Sequence, residues 1–327
     1  MILALIGLIT IRANAAQYPQ NPLLVGDSIY VSHQGVYRFD SSSAEPLWNS
    51  LAGIETFAPV AYGDLLLVGS TQGLYALRLA DGEVAWRSEK QHTLFTPGIA
   101  GNTAYAGSVH GELYALELSN GVIAWRKPFA GWIYSPTISA DSTLLWTGGQ
   151  AHEVYALASR DGRVLRKIAT SQESVFGAVD LGNAQVAFNL FDGSTLLLES
   201  SSKQIATTLA GDSQPTGIAH QGGVIFRSHS DGSLSAFGRD DLELEWQRSV
   251  TPQNLVIHPS LPGYLLLGDR DSKLLLLDLA NNTQPCELDG DGQRLLPMQI
   301  DSKQIIFFRN TMQPPGLKLV KSPAICI

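Results

Sequence analysis

The stretch that decides the fold is Gly73-Leu74-Tyr75-Ala76-Leu77, followed by Asp81-Gly82 and then by Ala85-Trp86-Arg87. Two further copies of this pattern follow, within residues 111–126 and 153–166. Self-similarity at a fixed period of about 40 residues is the signature of a repeat architecture, and sheets of four short strands have this period. The copies therefore predict a chain of repeated β-sheets.

The tyrosine position of this pattern recurs along the whole chain at steps of about 40 residues. Aligned on this position, the successive repeats carry Tyr37, Tyr75, Tyr114, Tyr155, Leu196, Ser235, Leu275 and Lys318. A proline near the start of most repeats gives the same register, at Pro22, Pro59, Pro97, Pro136, Pro259 and Pro297. The two markers together predict eight repeats.

Each repeat divides into four short strands. In the third repeat they are predicted at Thr96–Ala100, Thr103–Gly107, Glu112–Leu118 and Val122–Arg126. Pairs such as Asn120-Gly121 between them supply the positive φ that a tight hairpin needs. We therefore predict an all-β, eight-bladed β-propeller of four-stranded antiparallel blades. A β-solenoid is the alternative architecture, but its turns are usually shorter than this period.

Composition and charge limit the possible functions. Hydrophobic residues make up 44% of the 327 residues and charged residues 16%, and the 31 glycines are spread along the chain. The formal net charge is −8, and the longest basic runs are pairs such as Arg126-Lys127. Binding to a nucleic-acid backbone needs clustered Lys and Arg, so nucleic acid is not expected as a partner.

The N-terminus has the pattern of an export signal. An apolar run, Ile2–Ile11, precedes Ala13-Asn14-Ala15, which has the small residues of a cleavage site. We predict a signal peptide at residues 1–16 and a single propeller domain at 17–327; an uncleaved anchor and a first strand are the alternatives. The run is short for a bilayer span, and no other long apolar run exists, so no transmembrane segment is expected in the mature chain.

The Leu-Tyr-Ala-Leu, (Asp/Asn)-Gly and Trp-Arg motifs resemble the propeller repeat of pyrroloquinoline quinone (PQQ) dehydrogenases and of their cofactor-free relatives. Among these relatives is the propeller subunit of the outer-membrane β-barrel assembly machinery. The resemblance covers roughly residues 20–326. It implies that the repeated tryptophans dock between adjacent blades and are structural; they are Trp48, Trp86, Trp125 and Trp246.

The resemblance also indicates what the chain lacks. Quinoprotein dehydrogenases carry adjacent cysteines above the quinone, whereas the two cysteines here, Cys286 and Cys326, are far apart. Asp289-Gly290-Asp291-Gly292 resembles the start of a calcium loop, but its twelfth position is Ile300 instead of the required glutamate. We therefore expect no catalytic residues, no cofactor and no metal. The alternative function is a quinoprotein or small-molecule binder that uses the central channel.

Two residue types outside the consensus remain open. Cys286 and Cys326 fall at or near the tryptophan position of the last two repeats, so they are either a disulfide or two buried thiols. Four histidines fall near the turn between the second and third strands of their repeats, where we expect solvated side chains. These are His33, His110, His152 and His229.

The loops that lead into the first strand of each blade are the candidate partner-binding surface. Their apolar residues are expected to be exposed, or alternatively to line the channel and pack among themselves; the candidates are Leu94, Phe95, Phe129, Trp132, Tyr134 and Phe176. Trp132 lies outside the repeated tryptophan position, and Trp and Tyr are favoured contact residues. The assembly subunit is a lipoprotein, whereas no cysteine lies near the signal segment here.

Together these features predict a non-catalytic scaffold, exported to the periplasm without a lipid anchor. We expect it to be a monomer that binds a protein partner in the cell envelope.

Overall fold

The computed structural model describes residues 23–32, 34–89, 91–139, 141–174, 179–182, 185–199, 205–210, 213–249, 256–261, 264–268, 274–279, 286–289, 295–298, 304–309 and 316–321. All regular structure in these ranges is β, in seven sheets of four strands and one of three. Every sheet is a meander in which consecutive strands are neighbours. The eight sheets agree in number with the eight predicted repeats.

The strands are numbered in chain order, and the sheets one to eight likewise. Sheet one comprises β1 (Leu23–Val25), β2 (Ser28–Ser32), β3 (Val36–Asp40) and β4 (Pro46–Ser50). Sheet two comprises β5 (Val60–Tyr62), β6 (Leu65–Ser70), β7 (Gly73–Arg78) and β8 (Val84–Arg87). Sheet three comprises β9 (Gly98–Ala100), β10 (Thr103–Ala106), β11 (Glu112–Glu117) and β12 (Ile123–Pro128). Sheet four comprises β13 (Thr137–Ile138), β14 (Leu144–Gly148), β15 (Glu153–Ala158) and β16 (Val164–Ala169).

The remaining sheets follow the same plan. Sheet five comprises β17 (Val179–Gly182), β18 (Gln185–Asn189), β19 (Thr195–Glu199) and β20 (Ile205–Leu209). Sheet six comprises β21 (Pro215–Gln221), β22 (Val224–His229), β23 (Ser233–Gly238) and β24 (Leu244–Ser249). Sheet seven comprises β25 (Val256–Leu261), β26 (Tyr264–Gly268), β27 (Leu274–Asp278) and β28 (Cys286–Asp289). Sheet eight comprises β29 (Leu295–Met298), β30 (Gln304–Arg309) and β31 (Gly316–Lys321).

The chain divides into two compact units. Unit one consists of Met1–Ile29, Phe39–Pro46 and Ser213–Ile327, and unit two of Tyr30–Arg38 and Leu47–Asp212. Sheets two to five belong to unit two, sheets six to eight to unit one, and sheet one has residues in both.

The core of unit two lies between adjacent sheets. The second and third strands are buried on both faces, as Leu66–Val68 and Leu74–Leu77 illustrate in sheet two. The fourth strand alternates instead between more and less exposed residues, as in β12. Side chains of sheet two, such as Leu67 and Leu74, pack with Ala104 and Tyr114 of sheet three. Apolar runs in the middle of each repeat are therefore explained by burial on both faces of a sheet.

Three of the repeated tryptophans connect one sheet to the next within unit two. Their indole N–H groups donate to carbonyl oxygens in the turn between the third and fourth strands of the following sheet: Trp48 to Leu79 at 3.1 Å, Trp86 to Leu118 at 2.7 Å and Trp125 to Ser159 at 3.1 Å. Each ring also covers the glycine of that turn, Gly82, Gly121 or Gly162 in the same order. The Asp-Gly and Asn-Gly pairs of the sequence thus form the surface on which the tryptophans lie.

In unit one, Trp246 packs against the cluster between sheets six and seven. Its ring centroid lies 6.1 Å from that of Phe226, and the guanidinium of Arg248 lies over it at 5.1 Å. The cluster includes Phe226, Leu265 and Leu277, so the buried surface between sheets six and seven is also apolar.

The lost tyrosine of the sixth repeat is compensated across the sheet. The tyrosine position pairs with a residue of the second strand: Tyr75 with Val68, Tyr114 with Ala106, and Ser235 with Arg227. Arg227 is 1% exposed, and its guanidinium lies over the Phe237 ring at 5.5 Å. Burial lowers its pKa to about 10. In this pair the small residue lies on the third strand and the large buried residue lies opposite it on the second.

Candidate functional site

The predicted partner-binding residues lie in the segments that join one sheet to the next, which we call connecting segments. Each of the first four connecting segments carries a residue that forms an isolated antiparallel bridge. The bridges are Thr56↔Ser70, Ser70↔Leu94, Leu94↔Ser108, Ile133↔Gly149 and Ser174↔Leu190. Because Ser70 pairs with both Thr56 and Leu94, the connecting segments join adjacent sheets through their backbones.

Leu94 and Phe95 are both part of this contact between sheets. The N–H of Leu94 donates to the Ser70 carbonyl at 3.0 Å, and that of Phe95 to the Gly107 carbonyl at 2.9 Å. A Cβ on Gly69 would lie 2.4 Å from the Phe95 carbonyl oxygen, so only glycine allows this approach. Leu94 is 0% exposed and Phe95 6% exposed. The predicted exposure of these two residues is wrong, because they pack between sheets.

Tyr134 is likewise buried instead of exposed, while Phe129 is half-buried. Tyr134 is 6% exposed, and its N–H donates to the Gly148 carbonyl at 3.0 Å. Its ring lies 5.4 Å from that of Phe95, which in turn lies 5.7 Å from Phe57, so one aromatic ring per segment forms a row. Phe129 is half-buried, with its ring edge-to-face on Tyr155 at 4.7 Å. Packing of these residues among themselves was the alternative that the sequence left open.

Tyr155, which lies beneath Phe129, is held by a small polar group. Its hydroxyl donates to the Glu153 carboxylate, which also pairs with Lys167 at 2.6 Å. The hydrogen bond from Lys167, followed by that from Tyr155, lowers the pKa of Glu153. Burial, followed by the hydrogen bond to Glu153, raises the pKa of Tyr155 well above its usual value. Tyr114, Glu112 and Arg126 repeat this arrangement in sheet three.

Trp132 differs from the other candidates that the structure describes. Its backbone is fixed, because its N–H donates to the side-chain oxygen of Gln150 at 3.3 Å and its carbonyl accepts from the Gln150 N–H at 3.1 Å. Its side chain is only half-buried. Among the described residues, its indole ring has neither a stacking partner nor a hydrogen-bond partner, unlike the indoles of Trp48, Trp86 and Trp125. The sequence did not indicate the role of Gln150, because that contact joins two separate loops.

The structure describes only some of the remaining candidates. Phe176, Cys326, His33 and the predicted signal peptide lie outside the described residues, and the side chain of Cys286 in β28 is also not described. His110 and His152 are exposed, as predicted for turn residues. His229 is not: it is buried, and its Nδ1 lies 2.8 Å from the Ser213 carbonyl oxygen. His229 is the last residue of β22, where it pairs with Pro215 of β21, whereas His110 and His152 lie in turns.

Two further observations concern the chemistry of the chain. Within the described ranges, no group of three or more His, Cys, Asp and Glu side chains is arranged to hold a metal ion. No helix in the same ranges has the length and apolarity that crossing a membrane requires.

The repeated four-stranded sheets, their tryptophan docking and the order of the repeats define the class: an all-β propeller of PQQ-like repeats, as the sequence predicted. The chain belongs to the family described as outer membrane protein assembly factor BamB, whose profile matches residues 10–88 and 87–208.

Solved structures agree with this fold. The crystal structure of BamB from Moraxella catarrhalis superimposes with a TM-score of 0.73 at 15% sequence identity, over 92% of this chain and 93% of that one. The computationally designed Ika8 protein superimposes with a TM-score of 0.80 at 11% identity, over 94% of this chain and 98% of that one. No curated protein matches the chain in sequence.

Proposed function

We propose that this protein is a non-catalytic scaffold that binds a protein partner in the periplasm, as part of outer-membrane protein assembly. Membership of the BamB family supports the scaffold role. The export pattern of residues 1–16 supports the periplasm as its location. The mature chain acts as a monomer.

The observation that carries this proposal is the state of Trp132. The connecting segments contain many apolar side chains, but Leu94, Phe95 and Tyr134 are buried between sheets and contribute to stability. Trp132 is instead half-buried, on a backbone that Gln150 fixes at both polar atoms. A large ring on a rigid loop loses little conformational entropy on binding, and tryptophan is enriched among the residues that dominate interface energies.

Site-specific photo-crosslinking tests the proposal. Trp132 is replaced by benzoylphenylalanine in the full-length protein, which is then expressed in its own host and irradiated. The control carries the same group at Val122, which is 56% exposed and lies just before β12. We expect crosslinks to a component of the outer-membrane assembly machinery from position 132 and none from position 122. Equal labelling from both positions, or none from position 132, would overturn the proposal.

A further inference from the structure

Two histidines from neighbouring sheets face each other in unit two. His92 lies in the connecting segment between β8 and β9, and His110 in the turn between β10 and β11. Their imidazole centroids are 4.6 Å apart, with ring planes at 80°. His110 is exposed and His92 is half-buried, with its Nε2 atom buried.

A bridge between the two chain segments accounts for this proximity. Leu94 and Ser108 form an isolated antiparallel bridge. His92 lies two residues before Leu94, and His110 lies two residues after Ser108, in the turn that follows the bridge. The bridge therefore brings together the two segments that carry the rings.

Both chain segments are also anchored close to the histidines. The N–H of Ser88 donates to the Leu74 carbonyl at 2.8 Å, and that of Leu94 donates to the Ser70 carbonyl at 3.0 Å, so His92 lies between two fixed points. The Ser108 hydroxyl accepts from the Glu112 N–H at 3.0 Å, which fixes the turn that carries His110. The two backbone segments therefore need little further ordering when a ligand binds both rings.

The corresponding positions of other sheets lack this pair. Applying the same register to the Thr56↔Ser70 bridge gives Ile54 and Gln72, and to the Ile133↔Gly149 bridge gives Gly131 and Ala151. The imidazole pair is therefore not part of the repeat and has no role in the docking that the repeats share.

We propose that His92 and His110 form a two-imidazole site for a divalent first-row transition metal ion, represented by Zn²⁺. Imidazole nitrogen is a preferred ligand of zinc, copper and nickel, whereas manganese and magnesium prefer carboxylate and water oxygens. Glu112, which begins β11 two residues after His110, accepts a hydrogen bond from Tyr114 and pairs with Arg126 at 3.2 Å, so its carboxylate is already engaged. The remaining coordination positions belong to water, in keeping with the absence of a three-residue metal group among the described residues.

A metal ion at this site would tie the connecting segment of sheet three to the turn before β11. That turn is also contacted from sheet four, since the Ile133 N–H donates to the Ser108 carbonyl at 3.1 Å. The ion would thus brace the loops next to Trp132. The proposal does not depend on the proposed function, because it concerns only metal binding by the isolated protein.

Titration calorimetry of the untagged full-length protein with Zn²⁺ tests the proposal, with Mn²⁺ as the comparison ion. We expect one Zn²⁺ site and no Mn²⁺ binding at the same concentration. His92→Ala and His110→Ala should each weaken Zn²⁺ binding about tenfold or more. Loss of a residue that only orients a metal ligand already costs about this much, so loss of a ligand should cost at least as much. His152→Ala is the matched control, because His152 occupies the equivalent turn of sheet four without an opposing imidazole.

Circular dichroism spectra of the three variants check that each is folded. Two results would overturn the proposal. The first is a wild-type protein that does not bind Zn²⁺, and the second is wild-type Zn²⁺ affinity in both His92→Ala and His110→Ala. Equal binding of Zn²⁺ and Mn²⁺ would also contradict it, because that pattern indicates carboxylate ligands.

Discussion

The indole nitrogen of Trp86 in sheet two donates to the carbonyl oxygen of Leu118 in sheet three at 2.7 Å. Trp48 and Trp125 make the same contact one sheet earlier and one sheet later. The contact joins a residue of one repeat to the turn of the next, so the repeat unit of the sequence is also the docking unit of the structure. It fixes these tryptophans in structural roles and leaves Trp132 as the one off-pattern indole among the described connecting segments.

Substitution of Trp86 should separate packing from hydrogen bonding. Trp86→Phe leaves the Leu118 carbonyl without its donor, which costs about 1–3 kcal/mol for a buried group. Trp86→Ala also removes the ring, for a total of about 3–5 kcal/mol. Urea unfolding measures both free energies. Trp132→Ala is the control and should change the free energy of unfolding by less than about 0.5 kcal/mol; an equal loss in that variant would contradict the assignment of roles.

The glycine beneath each ring should be equally specific. Gly121 has a φ of +73°, and a Cβ there would lie 2.4 Å from Cε3 of Trp86. Gly101 has a φ of +55°, and a Cβ added to it would have no neighbouring atom within 4 Å. Gly101→Ala therefore measures the backbone strain alone. We expect Gly121→Ala to destabilise by about 1–3 kcal/mol more than Gly101→Ala, the usual cost of overpacking. Equal unfolding midpoints for the two variants would show that the ring moves aside freely.

The Glu153 carboxylate should contribute to stability in a pH-dependent way. Lys167 and Tyr155 lower its pKa below the value of 4.5 that applies in the unfolded chain. Its stabilising contribution is therefore complete above pH 4.5 and is lost as the pH falls through the lowered pKa of the folded state. Unfolding at a series of pH values should show that Glu153→Gln removes this part of the acid sensitivity, and Lys167→Met should reduce it. An unchanged pH profile in both variants would refute the assignment.

The non-catalytic role predicts no response to the quinone cofactor. We expect neither a saturable change in absorbance nor dye-linked dehydrogenase activity when PQQ and Ca²⁺ are added to the full-length protein. Saturable binding with activity would favour the alternative, a quinoprotein that uses the propeller channel.

The sequence was sufficient for the repeat, because its markers act locally. The Asn120-Gly121 turn needs a positive φ, and β11 at Glu112–Glu117 lies within one residue of its predicted range. The observed β9, Gly98–Ala100, is shorter than the predicted Thr96–Ala100, and the residues just before that range, Leu94 and Phe95, donate to the carbonyls of Ser70 and Gly107. The fold class followed from such local signals repeated at a constant step.

The sequence was not sufficient for the site, because exposure there depends on contacts between repeats. Leu94 and Trp132 are both apolar residues of connecting segments, yet one bridges two sheets and the other presents its ring. His92 and His110 likewise lie close together because Leu94 and Ser108 form a bridge, which the sequence around neither histidine reveals. Arg227 opposite Ser235 was hidden for the same reason, since their complementary sizes appear only across the strand pair.

The role of Trp132 in partner binding can be measured as the affinity of the Trp132→Ala variant for the purified outer-membrane assembly machinery of its host. We expect the wild type to bind and Trp132→Ala to lose about 2 kcal/mol or more of binding free energy, the loss typical of a dominant interface residue. Val122→Ala, which removes an exposed apolar side chain outside the connecting segments, should bind like the wild type. A wild-type protein that does not bind, or a Trp132→Ala variant that binds with unchanged affinity, would show that Trp132 is not the contact residue of a scaffold.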